Sequence, residues 1–323
     1  MNKNLRKKAL VPAIAMVLVA VLALSGVTYA WFTTGTTANV NNLNVNVQTA
    51  NGIQLSLDGK SWKSTLTTDD LRAAITNAST VYSGVCIQLP SGEIAPVSSA
   101  GTVTDGRMAM YYGEYNEDGT LMSDLLEDKN GSDGYYIAFD LFFKYSGNQA
   151  LSLNVGEGQS VVSTISIAAD GAASQLTGAA DMGTKSAVRV AFVPMGSFDT
   201  DAEARNQKDA TVETALIWEP NSTARAAGSE GGSGKLDYVG FNGEFEAELE
   251  TALPSGKVAA VTTFDTTSAL MDLSKTYSKM RVYIWLEGQD VDCINNISNG
   301  DFQVTLQFAV PETVEETTEA DPG

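Results

Sequence analysis

A chain of 323 residues carries 39 acidic against 20 basic side chains, a net charge of -19, and no histidine. So negative a body repels phosphate backbones and anionic membrane surfaces, which argues against nucleic acid as a partner and for divalent cations or basic proteins. The lack of histidine removes Ser-His-Asp and Cys-His nucleophiles, HExxH zinc sites and His-ligated iron or copper, while 43% hydrophobic residues suffice for one large β domain or two small ones.

Residues 1–30 read as a signal peptide. Lys3, Arg6, Lys7 and Lys8 precede an apolar run from Ala9 to Val27, broken only by Pro12, Ser25 and Gly26, and Ala30 offers a small residue for cleavage. The alternative is a retained anchor, since about 20 apolar residues span a bilayer. Either way the leader predicts a secreted, extracellular or cell-surface protein, touching membrane only if the leader stays.

After Trp31, Phe32 and a Thr/Asn-rich stretch, Leu43, Val45 and Val47 alternate with polar residues, and Ile53, Leu55 and Leu57 do so beyond Asn51-Gly52, which predicts two short strands around a turn. Residues 58–130 form a first irregular insertion. Within it Thr68, followed by Asp69, Asp70 and an Leu-Arg-Ala-Ala-Ile run, predicts an N-capped helix, and the Gly/Ser/Tyr-rich part from Val81 to Met122 predicts small strands of its own.

The clearest pattern follows. Tyr135, Ile137, Phe139, Leu141, Phe143 and Tyr145 share one parity of a strand, a wholly apolar face; Ser146-Gly147-Asn148-Gln149 supplies turn residues, and Leu151, Leu153 and Val155 alternate in a returning strand of a hairpin. An aromatic ribbon of two strands is marginal alone and needs a second sheet over it. Ala172 to Met182 reads as one or two helical turns, and Val188, Val190 and Phe192 as a strand ended by Pro194. Residues 195–275 form a second insertion, with a brief strand from Ala215 to Trp218, a flexible loop from Gly228 to Gly234, and a strand whose glutamates Glu244, Glu246, Glu248 and Glu250 line one face. Met280, Val282, Ile284 and Leu286, then Phe302, Val304, Leu306, Phe308 and Val310, mark two closing strands. The whole predicts a mainly β, jelly-roll-like antiparallel sandwich over 31–310 with short helices, followed by a disordered acidic tail at 311–323.

Chemistry-bearing motifs are few. Ser229-Glu-Gly-Gly-Ser-Gly-Lys-Leu236 lacks the first glycine and the magnesium-binding hydroxyl of a phosphate-cradling loop, and five Asp-Gly pairs, among them Asp58-Gly59 and Asp105-Gly106, read as turns. Cys86 and Cys293 permit one disulfide closing a long loop; two thiols that never meet fit the sequence equally. Glu287, Asp290 and Asp292 crowd one turn and are candidate calcium ligands, as is the glutamate ladder, with plain solvated loops as the alternative. Trp62, Trp218 and Trp285 are scattered, which suits packing better than sugar binding. No catalytic constellation is evident and no cofactor other than calcium is called for, so the chain reads as a non-enzyme; carboxylates alone could serve a glycosidase.

The order leader, Tyr29-Ala-Trp-Phe-Thr33, Asn/Thr-rich linker and paired strands ending in Gly52-Ile-Gln-Leu-Ser-Leu-Asp-Gly59 resembles the start of the TasA/camelysin family of exported Gram-positive proteins. Phe139-Asp-Leu-Phe-Phe-Lys-Tyr-Ser-Gly-Asn-Gln-Ala-Leu-Ser-Leu-Asn-Val155 and Phe302-Gln-Val-Thr-Leu-Gln-Phe-Ala-Val310 resemble the family's middle and closing strands. The fragments cover about a third of the chain and leave most of 58–130 and 195–275 without a counterpart. The resemblance implies a jelly-roll subunit that assembles into extracellular matrix fibres by donating an N-terminal strand, here Leu43, Val45 and Val47. Pairing of that strand within its own sheet is the alternative. The metallopeptidase activity attributed to the camelysin branch does not carry over, since no histidine exists.

These readings converge on an exported structural protein of the cell surface or matrix, self-associating or bound to other surface components. A monomeric adhesin or carbohydrate-binding module is the alternative. Leu89-Pro-Ser-Gly92 and Leu253-Pro-Ser-Gly256 are remote from the C-terminus, so sortase-type anchoring is not expected.

Overall fold

Runs of β-branched and aromatic residues with period two dictate strands, and strands are what dominate. The computed structural model of the chain describes residues 38–39, 44–49, 52–75, 85–89, 93–94, 97, 99, 101–112, 126–127, 135–155, 159–167, 173–175, 184–221, 268–287 and 301–311. The leader, Leu43, the Gly228–Gly234 loop, the glutamate ladder, Asp290, Asp292, Cys293 and the tail beyond Pro311 lie outside these residues.

Thirteen of the described strands build two sheets: β1 (Asn44–Thr49), β2 (Gln54–Ser56), β3 (Thr65–Leu66), β4 (Ile87–Gln88), β5 (Ile137–Lys144), β6 (Gln149–Leu153), β7 (Val161–Ile167), β8 (Ala173–Gln175), β9 (Val188–Phe198), β10 (Leu216–Trp218), β11 (Ala269–Leu273), β12 (Tyr277–Leu286) and β13 (Asp301–Ala309). Two helices accompany them, α1 (Thr68–Ile75) and α2 (Asp201–Asn206). The first sheet is antiparallel in the order β10-β9-β12-β5-β2, with β4 also beside β5. In the second, β7 and β6 meet β13 at successive stretches and carry β8 and β11 outward. The other flank of β13 is taken by β1, parallel to it, and β3 lies beyond β1.

The inner faces meet in one core. Ile137, Phe139, Leu141 and Phe143 from β5, with Val190, Phe192, Val282 and Ile284, pack against Val45, Val47, Leu151, Leu153, Val304, Leu306 and Phe308. Phe308 is the contact point between sheets: its ring lies edge-on to Phe143 at 5.2 Å and to Phe192 at 6.0 Å. Edge-to-face geometry of this kind adds to what burial alone contributes. The mainly β sandwich read from the sequence is therefore observed.

Several local readings are corrected. The predicted hairpin from Tyr135 to Val155 is an arch: β5 belongs to the first sheet and β6 to the second, so the Ser146–Asn148 turn crosses over the core. β1 and β2 are split between sheets in the same way, across a turn that holds Gly52 at φ 77. An apolar face is equally satisfied by a neighbour in its own sheet or by the opposite sheet, and the period of two does not distinguish them. Pro194 does not end β9. The strand runs on to Phe198 through a register shift between Pro194 and Gly196, where the ladder tolerates a missing N–H. Within Ala172 to Met182, residues Ala173–Gln175 form β8 rather than a helical turn, because pairing with β7 overrides weak local propensity.

Truncating Phe308 to Ala removes the side chain that both sheets share. We expect a loss of about 3–5 kcal/mol in unfolding free energy, read from urea denaturation.

Candidate functional site

β5 and β12 are central strands, and their second face is covered as completely as their first. Tyr136, Ala138, Tyr283 and Trp285 pack with Ala191, Val193 and Ile217 against Cys86, Val97, Val103, Met108 and Met110 from the first insertion. Of the alternating residues of β5, read from sequence only as the face opposite the apolar one, Ala138, Asp140 and Phe142 are thus fully buried, and Lys144 at the strand's end is half-buried. This creates the molecule's most unusual group of side chains. Antiparallel register sets Asp140 opposite Arg281 and Phe142 opposite Lys279, all on one face. Arg281 Nε donates to Asp140 Oδ1 at 2.7 Å and its NH2 to Oδ2 at 3.2 Å, while Lys279 Nζ lies 3.0 Å from Oδ2 and 5.4 Å from the centre of the Phe142 ring.

Backbone atoms of the insertions complete the cluster. The Cys86 N–H donates to Asp140 Oδ2 at 2.8 Å and the Cys86 carbonyl accepts from the Asp140 N–H at 2.7 Å. Arg281 donates to the Gly106 carbonyl and Lys279 to the Gln207 carbonyl, each at 2.7 Å. Gly106 sits in a two-residue turn with Asp105, at φ 70 and 50, between the paired segments Val103–Thr104 and Arg107–Met108. That is the hairpin turn an Asp-Gly pair favours. A Cβ at Gly106 would also collide with the Lys208 carbonyl, so only glycine brings this carbonyl onto Arg281. The Met108 N–H, next along the ribbon, donates to the Tyr283 hydroxyl at 3.0 Å.

Two cations share one anion here. Burial disfavours charge and lowers the pKa of Lys279 despite the nearby Asp140 carboxylate. At Arg281 the same burial is outweighed by Asp140, and the guanidinium is held above its ordinary value. Arginine therefore keeps its charge and lysine is the member driven towards a neutral amine. A second enclosed pair, Arg189 with Glu219 at 2.6 Å, lies near the edge of the same sheet.

The other candidate site is the seat of β1. Val45 and Val47, 0% and 1% exposed, lie between β13 and β3 in the chain's own sheet, the alternative to donation weighed above. The Val45 N–H donates to the Thr68 hydroxyl at 2.6 Å. Thr68 thus binds β1, and the capping role predicted for it belongs to Thr67, whose hydroxyl accepts the Asp70 N–H at 3.5 Å while its own N–H donates to Asp70 Oδ2. The capping box of Thr200 and Glu203 at α2, Thr-Asp-Ala-Glu in sequence, was legible and overlooked.

Of the candidate calcium ligands, Glu287 is buried and its Oε2 accepts the Trp285 indole N–H at 3.1 Å; Asp290 and Asp292 fall outside the described residues. Among the described residues no group of acids or cysteines is placed to hold a metal. Cys86 is buried with its Sγ 3.8 Å from the Ala138 carbonyl, and its suggested partner Cys293 is likewise outside. Trp218 and Trp285 are core residues, whereas Trp62 is half-buried, 5.7 Å from Tyr277, with Lys144 5.9 Å from each ring. Comparison with protein-family models, with curated proteins and with solved structures finds no match to this chain.

Asp140→Ala removes the carboxylate that pairs with both enclosed cations, and we expect it to cost about 3–5 kcal/mol by urea denaturation. Acid should act at the turn after β2 and at the start of α1. Burial raises the carboxyls of Asp58 and Asp70, but hydrogen bonds lower them further: Ser61, Lys60 and Ser56 at Asp58, Lys63 and Thr67 at Asp70. With folded values below 3.8, the unfolded chain takes up protons first as pH falls. The stabilisation is complete above that value and lost below it, so Asp70→Asn should flatten the acid limb of a plot of urea midpoint against pH.

Proposed function

We propose that this chain is an exported structural protein of the cell surface or extracellular matrix, a jelly-roll subunit whose copies assemble into fibres by exchanging strand β1. The observation that supports this reading is the seat of β1 itself. Six residue pairs, from Gln303 with Asn44 to Phe308 with Thr49, join it in parallel to β13, and its valines fill the core. Its other flank is held by two residue pairs with β3, by Thr68, and by the Thr49 N–H, which donates to the Ser64 carbonyl at 3.2 Å. Withdrawal of β1 leaves β13 with open backbone donors and acceptors and an empty apolar slot, and the identical strand of a second copy restores every contact. The turn at Gly52 is where the chain would open. This reading also agrees with the sequence resemblance, and the apolar leader accounts for export.

Negative-stain microscopy of the chain beginning at Trp31 tests it. Fibres are expected for the native sequence, and neither deletion of residues 31–49 nor Val47→Asp should form them. Monomers alone across pH and calcium concentration, or fibres untouched by both changes, would overturn it.

A further inference from the structure

Lysine amines and carboxyl groups are common ion partners at a surface, where water keeps both charged. Lys279 and Asp140 meet under other conditions. Their side chains are 0% exposed, Nζ is 3.0 Å from Oδ2, and the Phe142 ring lies on the amine in place of solvent. We propose that Lys279 and Asp140 condense to a side-chain amide that joins β5 to β12 covalently within the folded chain.

The ion pair already contains every atom of the product. A proton passes from the Lys279 ammonium to Asp140 Oδ2, and the freed lone pair on Nζ attacks Cγ, placing negative charge on Oδ1. Arg281 Nε, 2.7 Å away, faces that charge. A second proton moves from nitrogen to Oδ2, the Cγ–Oδ2 bond breaks, and Oδ2 leaves as water. No oxidant, metal or nucleotide is consumed. Burial favours the neutral amine that the first transfer requires. Arg281, donating to Oδ1, stabilises the oxyanion that follows, in the manner of an oxyanion hole. The amide accumulates slowly after folding.

The product fits the site. Its one N–H has the Gln207 carbonyl, already 2.7 Å from Nζ, as acceptor, and its carbonyl retains Arg281 as donor. Two desolvated charges disappear, while Arg281 exchanges the carboxylate for the new amide carbonyl beside its Gly106 acceptor and the Cys86 N–H gives up Oδ2; hydrolysis is disfavoured where water does not reach. Nothing in this step depends on assembly, so it stands or falls apart from the fibre reading.

Mass spectrometry of the full chain, folded, incubated for several days at neutral pH and then denatured, decides the question. The native chain should be lighter by one water than its own N-terminus predicts, the loss growing with incubation, and digestion should release the Asp140 and Lys279 peptides as one branched species. Lys279→Arg keeps the charge and should show neither change. In Asp140→Asn the same attack would expel ammonia in place of water. Separate Asp140 and Lys279 peptides from the incubated native chain, or a water loss that maps elsewhere or persists in Lys279→Arg, would overturn the proposal. Should the variants fail to fold, the native peptide map alone decides.

Discussion

The central strands of the first sheet are enclosed on both faces, and much of the architecture follows from that enclosure. A strand with one wet face can carry charge at every second position without cost. β5 and β12 cannot, because the insertions lie over Asp140, Lys279 and Arg281 and remove the water that would have solvated them. Each charge must then find a partner, and each remaining donor an acceptor, since a desolvated charge without one costs several kcal/mol, roughly as much as a small domain's whole margin allows. The insertions supply those partners as backbone groups, at Cys86, Gly106 and Gln207. What looks in sequence like irregular decoration is thus a second layer, fastened by the polar residues it covers.

This accounts for the limits of what could be read from the chain. Apolar faces were legible wherever alternation was clean: Ile137 to Phe143 and Phe302 to Phe308 point where their parity says. The partner of each strand was not, because pairing is decided by residues distant in sequence. β5 and β6 look like a hairpin and are an arch; Pro194 looks like a terminus and marks a bulge. The ion cluster was illegible for the same reason. Asp140 and Arg281 are far apart along the chain, and nothing local announces that register sets them side by side.

The seat of β1 was partly legible. Its alternating valines were evident, and so was a helix beginning near Thr68, but the bond from Val45 to Thr68 ties two elements that sequence treats separately. Spending that hydroxyl on a strand edge, with Thr67 left to cap the helix, means that α1 and the N-terminal strand are held as a unit. A neighbour's strand entering this slot would meet the same hydroxyl.

The parallel pairing of β1 with β13 has a mechanical consequence. Tension applied through the two termini pulls β1 from its Asn44 end and β13 from its Ala309 end, which lie at opposite ends of one ladder. The hydrogen bonds between them are therefore loaded in shear, all together, whereas an antiparallel pair gripped at one end would peel bond by bond. A subunit strung in series by its ends would meet stretching force with its whole ladder at once.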